Sequence, residues 1–477
     1  MPAATDGPGQ NAPLRRTAGP VLLWALGTGY VISGDYFGWN FGLRPAGHQG
    51  LLVATAVMAV MYTALIFTIA ELATAIPVAG GPFAFARRAL GPFGGFLTGL
   101  AVALEYTIAP AVIAAGMAGY VGGWVEGAGG DAQWVRAWVP GLAYACCVAV
   151  NLAGAGVSLR ALLVVTAVAA CALLAWAVGV IVGMPSASWS RLGPTLGTMP
   201  PLAGVMAALP AAGWFFLAIE GVPMAAEETR DPARDLPRGM TWAMLTLVGL
   251  AFTVLVLAPL AVDSETLAGS ANPLPAALAA TVGRGLLYDV VTAVGLLGLF
   301  ASMLSIVYAS SRQVFALARA GHLPAWLGRT NARAVPHIAV IVPAAVGWAT
   351  LAVVERLAPA DVSAADLVMQ VAVFAALASY VAITLSHVVL RHREPGMARP
   401  YRTPGGVITS GIALLLAGLA LVSGVLHGTA ASVALAATCG VFAVGSAYFL
   451  AVVRPRLAGR TIEDELAKVR AAETAGP

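Results

Sequence analysis

Residues 20–43 read PVLLWALGTGYVISGDYFGWNFGL, an apolar stretch long enough to cross a lipid bilayer. A transmembrane helix needs about 20 mostly apolar residues, but this stretch is interrupted at its middle by Ser33, Gly34 and Asp35. A carboxylate at the centre of a bilayer costs roughly 2.5 to 3.5 kcal/mol on translocon-insertion scales. The sequence therefore predicts two half-helices that meet at residues 33–35.

Asp35 needs a positively charged partner or a set of hydrogen-bond donors at that depth. Secondary transporters place their substrates at such helix breaks, so we expect Asp35 to pair with a substrate or an ion. Asp35 also occupies the place where the positive end of a half-helix dipole would attract an anionic group. A small ammonium compound is therefore favoured over a substrate carboxylate. The alternative is an N-cap role, with Asp35 accepting hydrogen bonds from the amides of Phe37 or Gly38.

The composition indicates an all-α integral membrane protein. Of the 477 residues, 59% are hydrophobic and only 10% are charged, whereas soluble domains have about 25% charged residues. The mean hydropathy is +0.85, and the lipid bilayer is therefore the first expected partner. The net charge of +4 gives no reason to expect a nucleic acid partner. The chain shows no nucleophile-base pair, metal-ligand spacing or phosphate loop, so neither an enzyme nor a cofactor is expected.

The hydropathy pattern predicts twelve membrane spans. The regions are a cytoplasmic tail at 1–19, spans one to five within 20–183, spans six to ten within 202–390, spans eleven and twelve within 407–453, and a cytoplasmic tail at 454–477. This orientation leaves all but five of the 26 basic residues on the cytoplasmic side. Such an asymmetry is what the positive-inside rule requires. We therefore expect a multi-pass protein of the cytoplasmic membrane with both termini inside.

The sixth span, residues 202–226, also has an unusual middle. Pro210, Gly213, Gly221 and Pro223 all disfavour a continuous helix there. Because spans one and six are five apart and both are broken, the pattern predicts a five-plus-five inverted repeat with the substrate held where the breaks meet. Spans eleven and twelve carry no intramembrane carboxylate and are expected to be peripheral.

Three further carboxylates fall in or near the predicted spans: Glu71, Glu105 and Glu220. Glu71, near the inner end of span two, is expected to pair with arginines of the inner loops. Glu220 stands just past the second break, where a buried carboxyl could bind and release a proton during transport, so a gating or coupling role is expected. For Glu105 in span three, a proton-linked role and a structural hydrogen bond remain equal alternatives.

Aromatic side chains crowd both breaks and the facing part of span three. Rings there could close over a small ligand and offer cation–π faces to an ammonium group, although ordinary core packing is the alternative for any one ring. The candidate substrate-binding residues are Ser33, Gly34, Asp35, Phe37, Tyr106, Trp214 and Phe216. The candidate gating or proton-coupling residues are Glu220 and Glu105. His387, at the end of span ten near Arg391, is expected to be interfacial.

Nearly the whole chain resembles the amino acid, polyamine and organocation (APC) permeases. The resemblance rests on the stretches 71–91, 213–220 (GWFFLAIE), 226–237, 310–324 (SSRQVFALARAGHLP) and 399–402 (RPYR). Within this superfamily, residues 32–43 (ISGDYFGWNFGL), Glu105-Tyr106 and Ala109-Pro110 are similar to the ethanolamine permease branch. The resemblance implies substrate binding at residues 33–35, a gating aromatic at Trp214, and a carboxylate at Glu220 that is linked to gating or proton sensing. Cys171 stands where proton-coupled relatives often carry a lysine.

Two classes of function remain open beside a secondary transporter that imports ethanolamine by alternating access. One is a permease or exchanger of the same fold for a zwitterionic amino acid or a polyamine. The other is a sensor that binds its ligand without transporting it. Either H⁺ or Na⁺ could be the coupling ion, and the sequence leaves the oligomeric state open.

Overall fold

The computed structural model describes residues 18–77, 80–153, 159–189, 199–331, 335–358, 363–426 and 429–457. The predicted tails at 1–19 and 454–477 therefore lie largely outside the described residues. The helices of the first half are α1 (Pro20–Val31), α2 (Ser33–Tyr36), α3 (Leu43–Ala75), α4 (Gly81–Gly127), α5 (Gln133–Leu152), α6 (Leu159–Gly183), α7 (Ser186–Trp189) and α8 (Leu202–Trp214). Those of the second half are α9 (Pro232–Ala261), α10 (Ser264–Gly269), α11 (Pro273–Val282), α12 (Leu286–Arg319), α13 (His337–Leu357), α14 (Ala364–Arg393), α15 (Val407–Leu426), α16 (Thr429–Tyr448) and α17 (Arg454–Leu457).

Short segments of tighter or wider helix complete this all-helical architecture. The 3₁₀ segments are Trp39–Gly42, Ile219–Glu228 and Ala325–Gly328, and a π-helical turn spans Phe449–Val453. Ten helical stretches in the described residues are long and apolar enough to cross a membrane. The first predicted span is not among them because it is split, and α15 falls among the shorter apolar helices. The count of twelve therefore stays a prediction.

The first predicted span breaks, but not at residues 33–35. Helix α1 ends at Val31, and the next residues form the helical turn α2, in which the Phe37 amide donates to the Ser33 carbonyl at 3.1 Å. The backbone then becomes extended at Phe37 and left-handed at Gly38, with φ 99°. Glycine adopts such a conformation without a Cβ penalty. The prediction of the break point was wrong by about one helical turn, because the polar residues form the turn and Gly38 ends it.

The sixth predicted span also breaks near its middle. Helix α8 ends at Trp214, and Ala218 has φ 76°, the only left-handed residue other than glycine in the described residues. A non-glycine residue is strained in that region. The chain continues as the 3₁₀ segment Ile219–Glu228, which contains Pro223. The break therefore lies between Trp214 and Ile219.

Packing places both breaks in the interior of the helix assembly. Helix α1 packs against α9 and α6, α8 packs against α3, and the long α4 packs against α14 and α12. Helices α15 and α16 both pack against α14 and leave large apolar side chains such as Leu415 and Val444 exposed. Exposed apolar side chains on membrane helices face lipid, so α15 and α16 lie at the edge of the assembly.

Candidate functional site

The two helix breaks touch each other. A Cβ atom added to Gly34 would lie 2.6 Å from the carbonyl oxygen of Trp214 and 3.1 Å from Cα of Phe215. The Trp214 indole donates a hydrogen bond to the Phe37 carbonyl at 2.8 Å, and Trp39 stacks on Phe215 with ring centroids 6.1 Å apart. Backbone carbonyls freed by the first break are thus bound by the second, as non-helical backbone at membrane depth requires.

Asp35 is fully buried at this junction, and neither of its carboxylate oxygens has a hydrogen-bond partner within the described part of the chain. The amides that it was expected to cap are taken by other groups. Phe37 donates to the Ser33 carbonyl at 3.1 Å, and Gly38 donates to Asn40 Oδ1 at 3.3 Å. The N-cap alternative is therefore wrong, and Asp35 is a buried acceptor without a protein donor.

The other polar groups of the α2 turn are held by hydrogen bonds. The Tyr36 hydroxyl donates to the Ala169 carbonyl at 2.8 Å, and the Tyr120 hydroxyl donates to the Tyr36 carbonyl at 3.0 Å. Ser302 Oγ lies 2.9 Å from both Ser33 Oγ and the Tyr30 carbonyl oxygen. Helices α4, α6 and α12 therefore fix the turn while the Asp35 carboxylate is left without such a contact.

Glu220 forms a second polar centre beyond the break in span six. The hydroxyls of Tyr106 and Tyr380 donate to its two carboxylate oxygens, each at 2.8 Å. The Glu105 carboxyl lies beside that of Glu220 and near the Ala218 amide, and both glutamates are fully buried. Neighbouring buried carboxylates repel each other when both are charged. A proton on one of the two would remove that repulsion.

The candidate site residues divide between these two centres. Ser33, Gly34, Phe37 and Trp214 surround the junction at Asp35, and Phe37 packs against Gly116 of α4. Tyr106 and Glu105 belong to the centre around Glu220. Phe216 belongs there too, because its ring lies 5.4 Å from Tyr62, which in turn lies 5.3 Å from Tyr380.

One small residue connects the two centres. A Cβ atom added to Gly221 would lie 3.0 Å from the Tyr106 hydroxyl and 3.4 Å from the ring of Tyr30, whose carbonyl oxygen accepts from Ser302. Within the described residues, no hydrogen bond or ion pair joins Asp35 to either glutamate. Gly221 therefore lies where the packing of the two centres meets.

Four residues of these centres are not predicted by the sequence: Tyr62, Tyr120, Ser302 and Tyr380. Each is a hydroxyl-bearing residue in an apolar span, and no spacing distinguishes it from the other serines, threonines and tyrosines there. Tyr380 reaches Glu220 across 160 residues of sequence. Only the tertiary packing of α14 against α3 and α4 reveals these contacts.

Glu71 pairs with Arg391 and Arg399, two of the arginines that the predicted topology places on the inner side. Arg391 binds both of its oxygens, at 2.8 and 2.5 Å, Arg399 lies 3.1 Å away, and the Thr403 amide donates at 2.7 Å. His387 Nε2 lies 3.2 Å from the same carboxylate and its side chain is only 1% exposed. His387 is therefore buried within the protein beside Glu71, and its position at the membrane interface stays a prediction.

The structure is closed around both centres. Every residue from Tyr30 to Asn40 is buried, and so is every residue from Ala208 to Pro223. A bound substrate at the junction would therefore be shielded from both sides of the membrane, and its entry or exit requires the helices around the breaks to move.

Comparison with known proteins identifies the family of the chain. Residues 23–447 match the family model described as amino acid permease. The chain belongs to the amino acid permease family. This permease is 30% identical over 386 residues to an uncharacterised transporter of Rhizobium meliloti (strain 1021), which covers 80% of each chain. It is 26% identical to the branched-chain amino acid permease BcaP of Bacillus subtilis (strain 168), over 87% of this chain and 88% of the relative.

A solved structure shows the fold of the permease. It is the manganese transporter of Eremococcus coleocola, with a TM-score of 0.54, 14% identity, and coverage of 98% of this chain and 99% of the other. At that identity the likeness extends to the architecture alone. Together with the family match, it makes the permease a multi-pass membrane transporter of small molecules in the APC superfamily and not an enzyme.

Proposed function

We propose that the permease imports a small ammonium compound, ethanolamine, with the Asp35 carboxylate as its counter-ion. The observation that carries the proposal is the carboxylate itself, which is fully buried at the junction of two broken helices with no donor in the described residues. A buried charge without a partner is costly and is retained where function needs it. A substrate ammonium group would supply both the opposite charge and the hydrogen bonds.

Neighbouring groups complete a site for such a substrate. The Trp214 indole lies against Gly38, three residues from Asp35, and the Phe37 ring packs against Gly116 of α4. Aromatic faces attract ammonium ions. Ethanolamine has no carboxylate, so it would not meet repulsion from Asp35. The resemblance of residues 32–43 to the ethanolamine permease branch supports this choice.

The remaining parts of the proposal concern the transport cycle and the topology. Glu220 and Glu105 would bind and release a proton as the site opens alternately to the two sides. The chain would form twelve spans, ten of them in two inverted repeats of five, in the cytoplasmic membrane with both termini inside. The distribution of basic residues supports the orientation, and the two mutually packed breaks support the repeat.

A second candidate is the transport or exchange of a zwitterionic amino acid or a polyamine. The named function of BcaP, a branched-chain amino acid permease, favours an amino acid. In that case the substrate ammonium group would pair with Asp35, and its carboxylate would have to be bound away from Asp35. The sensor alternative is disfavoured, because the named relatives are permeases and transporters.

Uptake by purified protein in proteoliposomes tests the proposal. We expect radiolabelled ethanolamine to enter, and we expect Asp35→Asn to abolish this uptake. Glu265→Gln, which neutralises an exposed carboxylate, is the matched control and should leave uptake unchanged. Undiminished ethanolamine uptake by Asp35→Asn would overturn the counter-ion role. Uptake of leucine but not of ethanolamine by the unmodified protein would favour the second candidate.

A further inference from the structure

A separate apolar groove lies on the membrane-facing surface, away from both centres. It has a volume of about 420 Å³ and runs between α3, α9 and the start of α15. Its walls are apolar apart from three threonines, and they include Val60, Phe67, Leu245 and Ile412. On α3 the lining extends from Ala59 to Phe67, which is about 12 Å at the rise of an α-helix.

Basic residues stand at one end of this groove. On α9 the lining residues Thr241, Leu245 and Val248 form one stripe, and Arg238 precedes Thr241 by three residues and Leu245 by seven, so it lies on the same face. Arg402 is two residues before Pro404, which also lines the groove. Both arginine side chains are exposed, and no ion pair involves them in the described ranges.

Two acidic side chains near these arginines have other partners. Asp235, one turn before Arg238, is buried and accepts a hydrogen bond from the Asp231 amide at 3.3 Å. Glu71, one turn beyond Phe67, is already paired with Arg391 and Arg399. The mouth of the groove therefore presents two positive charges to the surface on the arginine-rich side of the membrane.

We propose that this groove binds an anionic phospholipid, with one acyl chain between α3 and α9 and the phosphate between Arg238 and Arg402. An apolar channel that opens to the hydrocarbon suits an acyl chain, and basic positions between transmembrane helices bind anionic headgroups. The lined length of α3 is too short to seat a membrane-spanning helix of another chain, which is about 30 Å long. The charge at one end selects an anionic lipid over a zwitterionic one.

Native mass spectrometry of the full-length protein in detergent tests this site. Titration with phosphatidylglycerol and, separately, with phosphatidylcholine should show one tightly retained phosphatidylglycerol and weaker retention of phosphatidylcholine. The double variant Arg238→Gln/Arg402→Gln should weaken phosphatidylglycerol retention by about 30-fold, the effect of two juxtamembrane basic residues. Arg356→Gln, an exposed arginine at the opposite end of the spans, should change nothing.

A second double variant tests the apolar groove independently of the two arginines. Val60 and Leu245 line the groove and are 54% and 66% exposed, so Val60→Phe/Leu245→Phe narrows it without touching the core. This variant should lose the retained lipid while its thermal unfolding midpoint stays within the range of the unmodified protein. Equal retention of the two lipids, or phosphatidylglycerol binding that survives both double variants, would overturn the proposal.

Discussion

Gly34 lies so close to the carbonyl oxygen of Trp214 that a Cβ atom at residue 34 would stand 2.6 Å from it. Because the obstructing atoms are backbone, they cannot rotate away as a side chain would. We expect Gly34→Ala to separate the two breaks, to destabilise the protein by about 1 to 3 kcal/mol as overpacking usually does, and to reduce uptake severely. Thermal unfolding in detergent and uptake in proteoliposomes measure the two effects.

Gly418→Ala is the control for this substitution. Gly418 lies in α15, and an added Cβ atom there would meet nothing within 4 Å. Alanine should therefore be neutral or slightly stabilising at residue 418, since it favours the helix. If Gly34→Ala behaved like Gly418→Ala in both measurements, the close contact between the breaks would be unnecessary for stability and for uptake.

Replacing Asp35 should raise the stability of the ligand-free protein and remove its function. Asparagine keeps the shape of aspartate but removes a buried charge that has no protein partner, so Asp35→Asn should raise the unfolding midpoint of the ligand-free protein. Ligand binding to the native state raises the midpoint by mass action, so ethanolamine should stabilise the unmodified protein and fail to stabilise the variant. A variant that is destabilised, or still stabilised by ethanolamine, would contradict the counter-ion role.

The sequence predicts that the Asp35 carboxylate lies near a helix break, because an aspartate within an apolar stretch is unusual. It did not predict where the backbone turns, because Ser33, Gly34 and Asp35 interrupt the apolar stretch whereas the left-handed conformation is at Gly38. The left-handed conformation of Ala218 has no sequence signal at all, because alanine is ordinarily a helix former. Contacts such as Tyr380 with Glu220 depend on packing between distant helices and could not be read from local pattern.

Replacing the two tyrosines that bind Glu220 should have non-additive effects on the uptake rate. Each hydroxyl donates to one oxygen of a buried carboxylate, and hydrogen bonds to charged groups contribute about 1.5 to 3 kcal/mol. We expect Tyr106→Phe and Tyr380→Phe each to lower the initial uptake rate at least tenfold if the bond is needed in the rate-limiting step. The double variant should cost less than the sum of the two, because residues that share a partner are not additive.

Tyr144→Phe is the matched control for the tyrosine variants. The Tyr144 hydroxyl is buried without a hydrogen-bond partner in the described residues, so its removal loses no bond. Uptake should be unchanged, and stability should be equal or slightly higher. If uptake fell equally in all three single variants, the loss of a buried tyrosine hydroxyl would by itself explain the effect, and the specific role of the bonds to Glu220 would be refuted.

Glu71 and Glu394 offer a direct comparison of buried and exposed ion pairs at the same end of the molecule. The Glu71 side chain is 1% exposed and binds Arg391, Arg399 and the Thr403 amide. Glu394 pairs with Arg88, and both side chains are about one-third exposed, at 34% and 36%. We expect Glu71→Gln to cost about 3 to 5 kcal/mol, because it leaves the buried Arg399 and the partly buried Arg391 without their charged partner. Glu394→Gln should cost about 0 to 1 kcal/mol. Chemical unfolding in detergent should show this difference, and raising the salt concentration should weaken the Glu394 pair more, since exposed charges are screened and buried ones are not. Equal losses for the two variants would mean that water enters the Glu71 cluster and that the loop at residues 399–403 does not seal the ends of α3 and α14.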